Sequence, residues 1–308
     1  MTRHLVSRLF QSLAVLLAMS FLVYGLMALM PGDPIDLMIA GDPHLGAADA
    51  ARLKALYGLD RPWIERYLHW LARLLAGDLG YSRLFAKPVA AALGPALLNT
   101  LILAGTALAA SMVVALPLGI LASLRPRGWL DRACNLLAFA SLSLPTFWLG
   151  LMLVVVFAVQ LGWLPAGGMD GARSLVLPAA TLALAGSGQL LRHMRAAMIG
   201  EAHHDYVRTA RAKGCGPVRV VLGHQLRNAL IPVTTILALE LGGLLSGALI
   251  TETVFAWPGM GRLIYESVMG NDFNLALTGL LLTTALTLAG SVLADLAYVW
   301  LDPRVRLE

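Results

Sequence analysis

Long apolar runs separated by shorter polar stretches dominate the pattern of this 308-residue chain. A helix that crosses a bilayer needs about 20 mostly apolar residues, and six runs reach or approach that length. They are Leu5–Met30, Leu97–Leu124, Leu136–Gln160, Leu175–Leu191, Ile231–Thr251 and Leu275–Trp300. The fourth run is the shortest, and we expect its helix to continue into the polar stretch that follows it. The pattern predicts an all-α integral membrane protein with six transmembrane helices.

The first polar stretch, residues 31–94, follows the first apolar run and predicts an extracytoplasmic helical insert. Ala47–Tyr57 reads as one helix, because Gly58 follows it as a C-cap, and Pro62 opens a second helix. The aromatic residues of this second helix either lie beside the lipid headgroups or pack the core of the insert; they are Trp63, Tyr67 and Trp70. The predicted organisation is a first transmembrane helix (1–30), the insert (31–94) and a five-helix core (95–308).

The second polar stretch, residues 192–232, carries seven Lys/Arg and two acidic residues. It predicts a helix over Ala196–Lys213, a break at Gly214-Cys215-Gly216 and a second helix that starts at Pro217. At the helical period, one face of the second helix holds Val218, Val221, Leu222, Leu226 and Ala229. Such an amphipathic hairpin either fits a groove of a partner protein or lies on an anionic membrane surface.

Composition and charge placement agree with the membrane assignment and orient the chain. Apolar residues make up 58% of the sequence and charged residues 13%, against about 25% charged in soluble domains. Most Lys/Arg near the runs lie before the first, between the second and third, after the fourth and after the sixth, which places both termini in the cytoplasm. The charge thus follows topology and does not indicate nucleic-acid binding. Cys134 and Cys215 fall on the cytoplasmic side as reduced thiols.

The motifs of several enzyme classes are absent from the sequence. None of the three lysines, Lys54, Lys87 and Lys213, follows a glycine, so there is no phosphate-binding loop and the chain itself binds no ATP. The adjacent His203 and His204 point about 100° apart on a helix and cannot share a metal ion. We therefore predict neither a catalytic site nor a metal site, and no cofactor bound by this chain.

Several motifs together resemble those of ABC importer permeases of the dipeptide/oligopeptide/nickel branch, in particular the first (B-type) permease. They are Pro31-Gly32-Asp33-Pro34, Gly77-Asp78-Leu79-Gly80, Tyr206–Gly214, His224–Pro232, Gly162-Trp163-Leu164-Pro165, Glu252–Gly261 and Asp302-Pro303-Arg304. The resemblance covers essentially the whole chain. At the position where the generic importer loop has Glu, this sequence has Arg208, which puts in doubt any ion pair inferred from that Glu.

The resemblance implies a type I importer permease in a bacterial inner membrane. The implied partners are a second permease, two cytoplasmic ABC ATPases that bind ATP and magnesium, and an extracytoplasmic substrate-binding protein. The implied ATPase-coupling residues are Tyr206, Arg208, Thr209, Ala210, Arg211, Lys213, Gly214, His224, Leu226, Arg227 and Asn228. The implied extracytoplasmic mouth comprises Glu252, Phe255, Pro258, Gly259 and Gly261.

Two acidic residues lie inside predicted spans, and the substrate is left open. A charge at the bilayer centre costs about 2.5–3.5 kcal/mol on insertion scales, so Glu240 and Asp295 either line the translocation path or bond a neighbouring helix. Di- or oligopeptides are the expected substrate, with glutathione or chelated nickel as alternatives. The competing class is a stand-alone secondary transporter, which needs no coupling hairpin and usually shows inverted repeats.

Overall fold

A computed structural model describes residues 2–29 and 61–301, with side chains described for 6–29, 61–244 and 248–292. The predicted helix Ala47–Tyr57, the motif Pro31-Gly32-Asp33-Pro34 and the closing Asp302-Pro303-Arg304 lie outside these residues. The chain forms two compact units. Leu98–Arg262 makes up most of the first, and Leu5–Leu97 with Leu263–Ala285 makes up the second.

The described residues are almost entirely helical. The helices are α1 (Thr2–Ala28), α2 (Trp63–Leu75), α3 (Val89–Leu124), α4 (Trp129–Ser143), α5 (Thr146–Leu153), α6 (Arg173–Glu201), α7 (Asp205–Ala212), α8 (Pro217–Arg219), α9 (Leu226–Gly247), α10 (Leu249–Val254), α11 (Met260–Met269) and α12 (Phe273–Leu301). Two π-helical segments, Val154–Gln160 and Val220–Gln225, continue α5 and join α8 to α9. A two-stranded antiparallel ladder pairs β1 (Tyr81–Ser82) with β2 (Lys87–Pro88).

Each predicted apolar run corresponds to one helix or to one bent helix pair. Among the described residues, α1, α3, α6 and α12 are long and apolar enough to cross a membrane, and α4 with α5 forms a fifth candidate. The 22-residue α9 covers most of the predicted run Ile231–Thr251. The expectation that the fourth run continues as helix is confirmed, because α6 extends to Glu201.

The predicted span Leu136–Gln160 is not one continuous helix. The helix breaks at Leu144 and Pro145, and the two halves are bent by 105°. Leu144 is extended, with ψ of 129°, because the ring of a following proline disfavours helical backbone in the residue before it. Pro145 then caps α5 as the residue before its first turn. The proline therefore ends one helix and starts another instead of bending a single one.

The core of the first unit lies where α3, α4, α6 and α9 meet. Its buried side chains are Ala115, Ala122, Cys134, Ala138, Leu190, Leu191, Met194, Met198, Ala229 and Val233. Two glycines allow α6 to pack closely against its neighbours, one in α3 and one in α6 itself. A Cβ at Gly119 would lie 2.8 Å from Met194 Cβ, and one at Gly188 would lie 2.6 Å from the Ala138 carbonyl oxygen. Small residues of this kind let membrane helices pack backbone to backbone.

In the second unit, α2 packs against α1 through aromatic side chains. Tyr67 is buried and its ring meets Phe21 and Tyr24 edge to face. Its hydroxyl shares a hydrogen bond of 2.9 Å with Ser20. Trp63 packs on Phe21, and Trp70 packs on Tyr24. These aromatics thus pack against α1 rather than inside the insert alone, while Trp63 and Trp70 stay half-buried.

Candidate functional site

The polar segment that follows α6, residues 202–228, includes the first three residues of α9 and folds as a compact unit that we name the basic hairpin. The prediction of one helix over Ala196–Lys213 is wrong, because α6 ends at Glu201 and α7 begins only at Asp205. His204 is extended between them, with ψ of 148°. A carboxylate in the first turn, here Asp205, interacts favourably with the positive end of the new helix. The break separates the membrane helix from the hairpin.

A small apolar core and a glycine turn hold the two arms of the basic hairpin together. Val207, Ala210 and Val220 are buried, and the Tyr206 ring packs against them. Gly214 has φ of +80°, a conformation that glycine adopts without steric cost, and its N–H donates to the Arg211 carbonyl at 2.9 Å. The geometry is that of a helix ended by a left-handed residue. The predicted break is thus at the expected glycine.

A hydrogen-bonded cluster connects the end of α6 to both arms of the hairpin. The Tyr206 hydroxyl donates to the Glu201 carboxylate, and the Asn228 side chain also interacts with that hydroxyl. Burial, followed by the hydrogen bond to Glu201, raises the pKa of Tyr206 above its ordinary value. The hydroxyl therefore stays protonated and able to donate at neutral pH. Glu201, absent from the predicted coupling residues, is the acceptor at the centre of this cluster.

The predicted apolar face of the second arm is correct only in part. Val221, Leu226 and Ala229 belong to the core of the first unit or pack against it. Val218 and Leu222 are exposed, however, and Val220 and Gln225, which the prediction left out, are buried. The cause is the π-helical segment Val220–Gln225, in which more residues complete a turn than in an α-helix. The buried side follows a spacing of five and then four residues. An α-helical period therefore leaves Val220 and Gln225 off the predicted buried side.

Most predicted coupling residues lie on the exposed surface of the basic hairpin. Arg208, Thr209, Arg211, Lys213, Gly214 and Arg227 are exposed, His224, Leu226 and Asn228 are half-buried, and Ala210 is buried. Arg208 lies 3.6 Å from Asp205, an exposed ion pair of little energetic weight. The surface therefore presents several cations together with the apolar side chains of Val218 and Leu222.

The predicted mouth residues form a closed turn between α10 and α11, residues 255–259, organised by a buried carboxyl group. Glu252 has no exposed surface. It accepts hydrogen bonds from Thr100 Oγ1 at 2.6 Å and from the Arg262 N–H at 3.0 Å. Thr100 Oγ1 in turn accepts from the Met260 N–H at 2.8 Å. Glu252 thus fixes the turn to α3 rather than facing solvent.

The other mouth residues complete this turn. The Pro258 carbonyl accepts from Asn99 Nδ2 at 2.9 Å, and Gly259 packs directly on the Glu252 carboxyl group. Phe255 is buried, with its carbonyl accepting from the Gly168 N–H at 2.8 Å. Gly261 packs on the backbone of Leu249. Asn99 and Thr100 were not among the predicted site residues, because their only signal in the sequence is their polarity at the start of an apolar run.

The two acidic residues predicted inside the spans differ in what the structure describes. Asp295 lies in α12, and its side chain is outside the described residues. Glu240 lies in α9 opposite Gly186 of α6, at 3.7 Å from the position that a Cβ there would take. Its Oε1 atom is buried and has no hydrogen-bond partner among the described residues. Among the described residues, no three His, Cys, Asp or Glu side chains lie together as a metal site would require.

Apolar spanning helices, a basic hairpin between two of them and a turn closed by a buried carboxyl group define a polytopic membrane protein of the permease class. A profile described as "Binding-protein-dependent transport system inner membrane component" matches residues 115–307. A profile for the N-terminal part of such membrane components matches residues 1–100. The chain belongs to this family of importer permeases.

Curated relatives match along the whole chain. The oligopeptide transport system permease protein AppB of Bacillus subtilis is 35% identical, with 99% of each chain covered. A putative peptide permease protein of Brucella suis is 37% identical, with 100% of each chain covered. The glutathione transport system permease protein GsiC of Escherichia coli is 36% identical over 100% of each chain.

Solved structures support the fold. Two crystal forms of the MetNI methionine ABC transporter in inward-facing conformations match with TM-scores of 0.57 and 0.58 and identities of 20% and 19%. These matches cover 67% and 68% of this chain, and 94% and 96% of that chain. The protein is thus a multi-pass permease subunit of an ABC importer in a bacterial inner membrane. It is a transport subunit and not itself an enzyme, because ATP hydrolysis in this family belongs to separate subunits.

Proposed function

We propose that this chain is the first of two different permease subunits that form the path of a peptide importer. Its partners are the second permease, two cytoplasmic ATPases that bind ATP and magnesium, and an extracytoplasmic protein that delivers the substrate. The observation that carries the peptide assignment is full-length similarity to permeases named for oligopeptides and peptides at 35% and 37% identity.

Glutathione is the second candidate substrate. The relative named for glutathione transport is 36% identical over the full length, which is within the range of the peptide permeases. Glutathione is itself a modified tripeptide, so a path that passes short peptides has a suitable size and polarity for it. Chelated nickel is the third candidate, and no observation on the described residues favours it.

The basic hairpin is the proposed contact with the ATPases. Its cationic surface suits a protein groove with acidic or polar lining, and its folded core makes it stiff enough to transmit movement. The distribution of Lys/Arg supports cytoplasmic N and C termini and, with them, a hairpin on the ATPase side of the membrane. Nucleotide-driven closure of the ATPases then moves the helices as rigid bodies between inward-open and outward-open states.

The extracytoplasmic turn and Glu240 have different proposed roles. The turn held by Glu252 forms a rigid edge of the mouth, and its exposed Pro258 is the part available to a delivering protein. Glu240 is proposed to line the path, since one carboxylate oxygen has hydrogen-bonding capacity that no described residue uses. Asp295 is also proposed to line the path, and only its position in α12 supports this.

The substrate assignment is tested by uptake in a strain that lacks this gene. Labelled di-, tri- and pentaalanine, glutathione and nickel are offered side by side, with the wild-type gene restored or not. We expect loss and restoration of peptide uptake. Loss of glutathione uptake alone would make glutathione the substrate, and loss of nickel uptake alone would make it nickel. Unchanged uptake of the peptides, glutathione and nickel would contradict the assignment.

The hairpin assignment is tested by co-purification of the ATPases with the permease. Gly214→Pro removes an N–H donor and forces φ away from +80°, so it disrupts the hairpin turn and should release the ATPases. The matched control is Gly77→Pro in the extracytoplasmic insert. Gly77 also ends a helix, has φ of +84° and donates to the Leu74 carbonyl at 3.0 Å. Equal loss of ATPases in both variants would contradict the assignment.

A further inference from the structure

A buried ion pair joins α4 to α6 near the end of α6 that enters the basic hairpin. Arg195 of α6 donates from Nε and Nη2 to the two carboxylate oxygens of Asp131 in the first turn of α4, the second bond at 2.8 Å. Asp131 is buried, with 3% of its surface exposed. A two-pronged contact of this kind fixes orientation as well as distance.

The remaining hydrogen-bonding capacity of the Asp131 carboxylate is also used. The Arg127 N–H donates to Oδ2 at 2.8 Å, and Asn135 Nδ2 donates to Oδ1 at 2.9 Å. The carboxylate therefore holds the turn before α4, the first turn of α4 and the Arg195 guanidinium together. This arrangement leaves no oxygen of Asp131 for a ligand, which excludes a binding role and indicates a positioning role.

A second contact holds the same faces of α4 and α6 together two helical turns away. Gly188 lies seven residues before Arg195, and its α-carbon packs against the Ala138 carbonyl and the Ser141 hydroxyl of α4. A close contact at one level and an ion pair at another oppose both sliding and rotation between two helices. The two helices are therefore expected to move as one body.

The two ends of this body reach the two functional elements of the first unit. Six residues after Arg195, Glu201 ends α6 and accepts the hydrogen bond of Tyr206 in the basic hairpin. Beyond the bend at Leu144 and Pro145, Gly150 of α5 packs on the Phe255 ring in the turn that Glu252 holds. A contiguous series of contacts thus runs from the hairpin through the ion pair to the extracytoplasmic turn.

We propose that Asp131 and Arg195 are positioning residues that make α4 and α5 move with the basic hairpin when the ATPases close. This inference rests on the proposed role of the hairpin. It assigns to the ion pair the coupling of ATP hydrolysis to the movement at the extracytoplasmic turn. Without the pair, α6 and the hairpin move while α4 lags, so ATP is hydrolysed with less transport.

The test uses the complete importer purified with its second permease and ATPases and reconstituted in liposomes. Asp131→Asn keeps the size of the side chain but removes the charge that Arg195 binds. We expect the number of alanine peptides transported per ATP hydrolysed to fall about tenfold, within the range found for residues on coupling networks. The amount of assembled complex is measured in parallel, and activity is expressed per complex.

The control and the second variant separate coupling from folding. Asp78→Asn makes the same change in an exposed ion pair, Arg73–Asp78 at 2.6 Å, and should leave transport per ATP unchanged. Arg195→Lys keeps the charge but loses the two-pronged contact, so it should assemble and still uncouple. A purely structural role predicts less complex with normal transport per ATP, and that result would overturn the inference.

A double-mutant cycle and a readout without substrate complete the design. If Asp131 and Tyr206 act in one series of contacts, the double variant Asp131→Asn, Tyr206→Phe should lose no more transport per ATP than the stronger of the two single variants. A loss in the double variant equal to the product of the two single losses would overturn the inference. Nucleotide-dependent labelling of a cysteine at Val159, with Cys134 and Cys215 replaced, reports movement of the π-helical segment that continues α5. It should be lost in Asp131→Asn even if the peptides prove not to be substrates, and its retention would overturn the inference.

Discussion

Gly259 leaves no room for any side chain, because the Glu252 carboxyl group occupies the space beside it. A Cβ at this position would lie 2.1 Å from Oε1, 2.3 Å from Cδ and 2.6 Å from Oε2 of Glu252. Gly259→Ala therefore forces the carboxyl group to move by more than an ångström. Glu252 cannot yield freely, since Thr100 and the Arg262 N–H hold it at 2.6 Å and 3.0 Å.

The expected cost has two parts. Inserting a methyl group into a packed site costs about 1–3 kcal/mol. Breaking a buried hydrogen bond and leaving a group unsatisfied costs about 1–3 kcal/mol more. Gly259→Ala should therefore lower the free energy of unfolding by about 2–6 kcal/mol, a large effect for one methyl group.

Thermal unfolding of the purified subunit in detergent, followed by tryptophan fluorescence, measures this cost. Trp257 is a suitable reporter because it is buried in the same turn and donates from Nε1 to the Asn99 carbonyl at 3.1 Å. The matched control is Gly105→Ala in α3, where a Cβ meets nothing within 4 Å. Alanine is favoured over glycine in a helix by about 1 kcal/mol, so the control should not lose stability. Equal unfolding temperatures for the two variants would refute the packing argument.

Three further predictions concern single residues of the first unit. Because burial and Glu201 raise the pKa of Tyr206, its contribution to hairpin stability is full below the ordinary tyrosine pKa of about 10 and is lost as the pH rises through the raised value. Subtracting the tyrosinate absorbance titration of Tyr206→Phe from that of wild type isolates the titration of Tyr206. Its midpoint should lie above the ordinary tyrosine pKa of about 10, and a midpoint at or below about 10 would contradict the assignment. Ala256 has φ of +50°, so Ala256→Gly should raise the unfolding temperature by removing strain of about 1–2 kcal/mol, and an unchanged temperature would contradict this. Glu240→Gln should lower peptide uptake without lowering the unfolding temperature, whereas a structural role predicts a loss of stability at normal uptake per folded subunit.

The sequence predicts the helical content and the order of the elements well, because both depend on local apolar composition. The fourth run was expected to continue as helix into the polar stretch that follows it, and α6 does so as far as Glu201. The break at Gly214 also follows from local chemistry, since glycine is the residue that tolerates φ of +80°. These features need no knowledge of distant contacts.

The local errors have identifiable physical causes. The run Leu136–Gln160 was expected to be one span, but Leu144 adopts the extended conformation that a following proline favours, so the helix breaks there. The apolar face of the second hairpin arm was assigned at the α-helical period. The π-helical segment Val220–Gln225 shifts that period, and no composition signal marks where it begins.

The interactions that organise the sites are of long range and are not visible as spacings. Thr100 and Glu252 are 152 residues apart in sequence and form a 2.6 Å hydrogen bond. Asp131 and Arg195 are 64 residues apart and form the ion pair between α4 and α6. Which acid meets which cation depends on helix packing, so only the structure brings the partners together.

Asp131, Glu252 and Glu240, three of the acidic residues described in the first unit, separate into two kinds by how their oxygens are used. Asp131 and Glu252 are buried, and each accepts hydrogen bonds from more than one element, so their charge or polarity is consumed in holding the fold. Glu240 lies on α9 with one oxygen that no described residue contacts. A carboxyl group inside an apolar span is costly to keep without a partner. The contrast therefore assigns fixed geometry to the first two residues and leaves Glu240 as the acid with capacity to meet a second permease or a substrate.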